Sequence, residues 1–119
     1  MVQAQPDAAE TTRRRLQEDL RASIKGRARF EAAVLRVLIA AIDNAGAVPL
    51  SVVATTQSSE IERRHLSAQD VQAILRREYE IRHAAAKELA AVGRRAEAES
   101  AGREMQIVRR YLEGEVNPK

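Results

Sequence analysis

A chain of 119 residues holds one domain with its own core and cannot hold two full ones. Hydrophobic residues make up 45%, aromatics only 3%, and cysteine is absent; this excludes wholesale disorder, a disulfide framework and thiolate chemistry, and leaves Leu, Ile, Val and Ala to build the core. The net charge is +3, and arginine dominates the basic residues; guanidinium suits phosphate recognition, although so alanine-rich a chain explains the excess as composition first.

Residues 1–8 are polar, carry Pro6 and read as a flexible leader. Leu16, Leu20 and Ile24, stacked at four-residue steps, predict a first helix from about Ala9 to Lys25 with those three as its buried ridge. Gly26 offers a C-cap or a bend. A second helix is expected from about Ala28 to Asn44. It is apolar nearly all round between Ala32 and Ile42, the pattern of a central helix with neighbours on several sides. Asn44, Gly46 and Pro49 then stop it.

Residues 45–65 lack helical periodicity. A single strand at LSVVATT would have no partner, so the segment reads as a mobile loop, of a length that is functional or disordered in compact domains. From Leu66 to Leu112 two helices follow back to back, hinged at Gly93. Ser67 stands as N-cap with Asp70 as its capping-box partner, and Ala98, Ala101, Met105, Val108 and Leu112 form the seam of the last helix. Residues 113–119 are a flexible tail broken by Gly114 and Pro118. No internal repeat is evident. The expected fold is all-α, a four-helix bundle of two helical hairpins, as one domain over residues 9–112.

The sharpest charge feature is a basic run, Arg13, Arg14, Arg15, Arg21, Lys25, Arg27 and Arg29, set against Glu18 and Asp19. Two readings apply. One is a nucleic-acid-binding face that tracks phosphates, with affinity from counterion release. The other is a solvated helix face with one intrahelical pair from Glu18 to Arg14 or Arg15. Phe30, Tyr79 and Tyr111 do not interleave with the run, so folded RNA read by shape and backbone is the expected mode rather than stacking on single strands.

A second cluster, Arg76, Arg77, Arg82, Arg94 and Arg95, alternates with Glu78, Glu80 and Glu88 and predicts surface ion pairs. Within it Arg82 is expected to cap the Gly93 turn or to pair with Glu78. Arg36, alone in an apolar helix, is expected to pair with Glu104, because a lone buried charge is too costly. Arg36, Glu78, Arg82 and Glu104 are therefore assigned structural polar roles.

No phosphate-cradling glycine loop, nucleophile elbow or Ser-Lys pair is present, and no residue is assigned to catalysis. His65 and His83 lie far outside any zinc spacing, so neither a metal nor a cofactor is expected, and both are read as solvated. The most apolar run, Ala32 to Ile42, is interrupted by Arg36 and too short to span a bilayer. No membrane partner is expected, and the cytoplasm is the expected location.

The blocks QEDLRASIK, VLR and AAIDNA, followed by REYEIR, VGR and YL in the second hairpin, make the chain similar to the YqeY family. That domain also forms the tail of GatB, the B subunit of the bacterial glutamyl/aspartyl-tRNA amidotransferase. The resemblance aligns without gaps from Gln17 to Arg36 and again from Leu66 to Leu112. It implies the helical domain, a match of Arg82 and Glu104 to the family's arginine and acidic positions, and an association with tRNA, which the GatB tail helps position. The ligase activity with glutamine as amido-N-donor belongs to the large enzyme. Departures are the Ala28 and Phe30 in a turn that is acidic and polar in relatives, a longer loop before Leu66, and Glu113 where a proline usually leads into a further small domain, which is not expected here. The resulting expectation is a non-catalytic tRNA- or RNA-associated accessory module. The alternative is a protein-interaction adaptor or self-associating helical module, acting through an exposed apolar face or through Val48, Leu50, Val52 and Val53.

Overall fold

A computed structural model of the chain describes residues 8–46 and 66–113. Four helices occupy them: α1 (Ala8–Lys25), α2 (Arg29–Gly46), α3 (Ala68–Ala91) and α4 (Arg95–Arg109). The fold is all-α. α1 packs along α2 and α3 along α4, and the two hairpins then meet through α1 with α3, and through α2 with both α3 and α4. The predicted loop over residues 45–65 falls almost wholly outside the described residues, as do His65, the leader apart from Ala8, and the tail beyond Glu113.

Both hairpins turn on the same backbone wiring. At the end of α1 the Ala28 N–H donates to the Ser23 carbonyl (2.8 Å) and the Arg27 N–H to the Ile24 carbonyl (3.1 Å). At the end of α3 the Arg94 N–H donates to the Leu89 carbonyl (2.9 Å) and the Gly93 N–H to the Ala90 carbonyl (3.1 Å). These are Schellman turns, in which the residue after the cap must be left-handed. Gly93 fills that position at φ 82°; in the first hairpin it is Arg27, at φ 59°, and not the neighbouring Gly26. The repeat lies in the backbone, where sequence comparison does not reveal it. A left-handed L-residue costs about 1 kcal/mol relative to glycine. Arg27→Gly is therefore expected to stabilise the domain by about 0.5–1 kcal/mol and Gly93→Ala to destabilise it by about 1 kcal/mol, read from urea midpoints. Opposite signs for the two changes are the signature; equal signs would contradict it.

Ser67 opens α3 as expected. Its hydroxyl accepts from the Asp70 N–H (3.0 Å), and the Asp70 carboxylate accepts from the Ser67 N–H (3.0 Å), so two orphan donors of the first turn are satisfied reciprocally.

The core is a layer of Leu16 from α1, Leu35 and Leu38 from α2, Val71 and Leu75 from α3, and Val108 from α4, all essentially sealed from water. On α4 the predicted seam holds: Ala101, Met105 and Val108 are buried and Ala98 half-buried, while Leu112, half-buried too, lies past the helix end at Arg109. The predicted ridge of α1 bends away. Leu16 is buried and Leu20 half-buried, but Ile24 is 52% exposed, and the buried positions run Ala9, Leu16 and Ser23. Steps of seven keep those three on the side facing the bundle, whereas two successive steps of four drift round the helix. α2 touches all three other helices, yet it is not buried all round. Its face of Ala33, Arg36, Val37, Ala40 and Asn44 is exposed, because Val34, Leu35, Leu38 and Ile42 already fill the space available.

The chain is fastened where α4 ends. The Gln72 side chain donates to the Tyr111 carbonyl (3.0 Å) and accepts from the Glu113 N–H (2.8 Å), tying that end to the start of α3. The buried Tyr111 hydroxyl donates to the Asp19 carboxylate on α1. Burial, reinforced by the Asp19 hydrogen bond and charge, pushes the phenol well above its ordinary value of 10. The folded state thus holds its proton more tightly than the unfolded chain does, so the stabilisation is complete below pH 10 and is lost as pH rises beyond it. Tyr111→Phe is expected to destabilise the domain by about 1–2 kcal/mol at pH 8. It should also flatten the decline of stability between pH 9 and 12 in urea titrations; a wild-type decline just as steep in the variant would assign the effect elsewhere.

Candidate nucleic-acid interface

The basic run does not form one surface. Successive helical residues rotate by about 100°, so Arg13, Arg14 and Arg15 fan out to three sides of α1. Arg13 turns to α2, where its guanidinium meets the Asp43 carboxylate at 2.8 Å and 2.9 Å. Arg15 lies over the Tyr111 ring, 4.8 Å from its centroid, beside the hydroxyl that Asp19 holds. Arg14 faces solvent together with Arg21 and Lys25, which recur seven and eleven residues on and so share one stripe. Glu18 lies in the same stripe but pairs with neither Arg14 nor Arg15. Arg27 and Arg29 belong to the turn and to the first residue of α2.

Arg36 is corrected by the structure. It is exposed and makes no ion pair with Glu104. Sequence reasoning treated the apolar stretch of α2 as buried on every side. The alanines at 33 and 40 open one side instead, and Arg36 sits between them. There it lines a groove of about 480 Å³ together with Ser23, Ile24, Arg27, Arg29 and Ala32. The seven-residue spacing of Arg29 and Arg36 was the signal available in the sequence, since it places both on one helix face.

On the other side of the α2 start, Arg29 also borders a second groove of about 440 Å³ with Phe30, Glu31, Arg103 and Arg110. Arg103 stacks over the Phe30 ring at 4.0 Å, and Arg110 pairs with Glu31 at 3.2 Å. Glu31 also accepts from the buried Ser23 hydroxyl (3.0 Å). Arg103 and Arg110 were missed by sequence reasoning, because only the crossing of α4 against α2 brings them to this end. Their guanidinia are partly occupied by protein groups, whereas those of Arg27, Arg29 and Arg36 meet no carboxylate among the described residues.

Glu104 is taken by Arg82, as part of the centre of the second hairpin. Arg82 is nearly buried, and its guanidinium donates to the Glu78 carboxylate (2.9 Å), the Glu78 carbonyl (2.9 Å) and the Glu104 carboxylate (2.9 Å). Of the two expected partners it chooses Glu78, and it joins α3 to α4 away from the Gly93 turn. Elsewhere in that cluster Arg94 reaches Glu97 at 3.4 Å, and Arg76, Arg77 and Arg95 are exposed without an ion pair among the described residues.

The model of the family described as Yqey-like protein matches residues 13–118. The chain belongs to the YqeY family. No curated protein and no solved structure matches it. In this YqeY domain no group of three or more His, Cys, Asp or Glu residues is placed to hold a metal ion among the described residues. Nor is any described helix long and apolar enough to cross a membrane. The chemistry on offer is cationic: exposed guanidinium and ammonium groups on α1, on the first turn and on the open face of α2.

Proposed function

We propose that this YqeY domain is a non-catalytic accessory module that associates in the cytoplasm with transfer RNA or another structured RNA, in connection with glutamine-dependent tRNA amidotransferase. One observation carries the reading: the cations of Arg14, Arg21, Lys25, Arg27 and Arg29 stand in solvent free of carboxylate partners among the described residues, while Arg13, Arg82 and Arg110 are engaged in ion pairs. Unpaired exposed cations gain from a polyanion by releasing its counterions and lose no internal pairing in doing so. With Phe30 under Arg103 and Tyr111 buried, those aromatics are not offered to bases, so contact runs through the RNA backbone. The test is fluorescence anisotropy with labelled tRNA at several salt concentrations, comparing wild type with R14E/R21E/K25E. Binding that weakens linearly on a log–log salt plot and falls about 10-fold or more on charge reversal is expected. Absence of binding at low salt refutes the reading.

A protein-adaptor or self-associating role has its own support in the far part of the second hairpin. Between Leu75 and Ala101 no described apolar residue is buried, and Ile81 and Val92 are 50% and 71% exposed. Sedimentation of wild type against I81K/V92K reads this alternative; a dimer that the double change dissociates would favour it over RNA.

A further inference from the structure

We propose that the elbow of the first hairpin is a phosphate site, in which Arg27, Arg29 and Arg36 grip the phosphate group of a nucleotide. The three side chains converge on one concavity of about 480 Å³ from different parts of the chain: the left-handed turn residue, the first residue of α2, and the position two turns further along α2. That volume is in the range of small-ligand sites. All three are arginine, whose planar fork binds phosphate oxygens in pairs, and none is met by a carboxylate among the described residues. Glu31 lies on the first turn of α2 and could have neutralised them, but it is held by Ser23 and Arg110. Three like charges facing one groove repel each other, and an anion placed among them removes that repulsion.

Two further features fit. Beside Ser23 the remaining lining is apolar, from Ile24 and Ala32, and Ile24 is 52% exposed on this side of α1. Such a wall suits the ribose or base face attached to a phosphate better than a bare ion. The left-handed backbone at Arg27 is the second. The equivalent turn uses Gly93 and carries no side chain there, whereas the first hairpin accepts strain at the position that brings a guanidinium to the groove.

This inference rests on the RNA reading for the source of the phosphate, and the experiment separates the two. Wild type, R27Q/R29Q/R36Q and the equally charge-reduced control R76Q/R77Q/R95Q are titrated with labelled tRNA and, separately, with adenosine monophosphate monitored by amide chemical shifts. All six positions except Arg27 lie on helices, and all six are exposed, so folding is retained and is checked by circular dichroism. Expected is a loss of tRNA affinity of about 10-fold with a salt slope shallower by about one in the elbow variant, and little change in the control. Nucleotide shifts are expected at residues 23–36 of wild type, and they vanish in the elbow variant. Nucleotide binding at the elbow without tRNA binding would sink the RNA reading and leave the phosphate site standing, with a free nucleotide as its source. Binding of tRNA that falls equally in elbow variant and control, with no nucleotide shifts, would overturn the site and leave the RNA reading intact.

Discussion

Arg82→Leu is expected to destabilise the domain by about 3 kcal/mol, at the lower end of what breaking a buried ion pair costs. The guanidinium sits between two carboxylates, Glu78 at 17% side-chain exposure and Glu104 at 34%, and satisfies a backbone carbonyl besides. Without it, two partly desolvated negative charges face one another across α3 and α4. The partial exposure of Glu104 keeps the effect below that of a fully enclosed pair, since water screens the uncompensated charge. For a domain of this size the loss lowers Tm by about 4–8 °C per kcal/mol. The companion variant R82L/E78Q/E104Q is expected to recover a large part of the stability, because no charge is then left without its partner. Chemical denaturation of both variants decides the matter. A single variant within about 0.5 kcal/mol of wild type would reduce the cluster to an ordinary surface pair.

The second large effect is expected at Leu35. It is fully buried on α2, the helix that touches α1, α3 and α4, and it belongs to the one cluster that joins all four helices. Leu35→Ala removes the methyl contacts and leaves a cavity that the neighbouring helices close only in part, for a loss of about 3–4 kcal/mol. Small domains are stable by roughly 5–15 kcal/mol, so the variant should sit near the edge of folding at 37 °C. Leu35→Met, which conserves volume, is expected to lose less than about 1.5 kcal/mol. By contrast, Val37→Ala two residues on, at 46% exposure, should change stability by less than about 0.5 kcal/mol. Similar losses at positions 35 and 37 would mean that α2 faces the bundle differently.

The elements that could be read from the sequence are those whose cause is local. The capping box of Ser67 and Asp70 needs only residues three apart, and the seam Ala101, Met105, Val108 needs only a helical period. The expectation for Ile24 came from the same period and was wrong. A four-residue step places neighbours near each other on a helix, but it does not tell which part of the face the partner covers. The Arg36–Glu104 pairing failed for a related reason. It took an apolar stretch as evenly buried, when small Ala33 and Ala40 mark the side that no described helix covers.

The candidate site was legible as composition and blurred as geometry. A run of arginines in the sequence is visible at once, but a helix spreads it round the axis, so Arg13 is spent on Asp43 and Arg15 on the Tyr111 ring. The cations left over are collected by different rules, through the stripe of Arg14, Arg21 and Lys25 and through the turn that sets Arg27 beside Arg29 and Arg36.

By itself the sequence determined that this protein is helical, where its described helices begin and end to within about three residues (the last one stops at Arg109, short of the expected Leu112), and that its family is YqeY. Those properties follow from hydrogen bonds and contacts between residues a few positions apart, together with recurring residue patterns. Only the tertiary structure decided which face of α2 stays open, that Glu104 pairs with Arg82, and which arginines remain unpartnered. These depend on the rotation of each helix about its own axis and on the crossing of the two hairpins. Both are set by how Leu16, Leu35, Leu38, Val71, Leu75 and Val108 fill one shared volume, a condition no single segment contains.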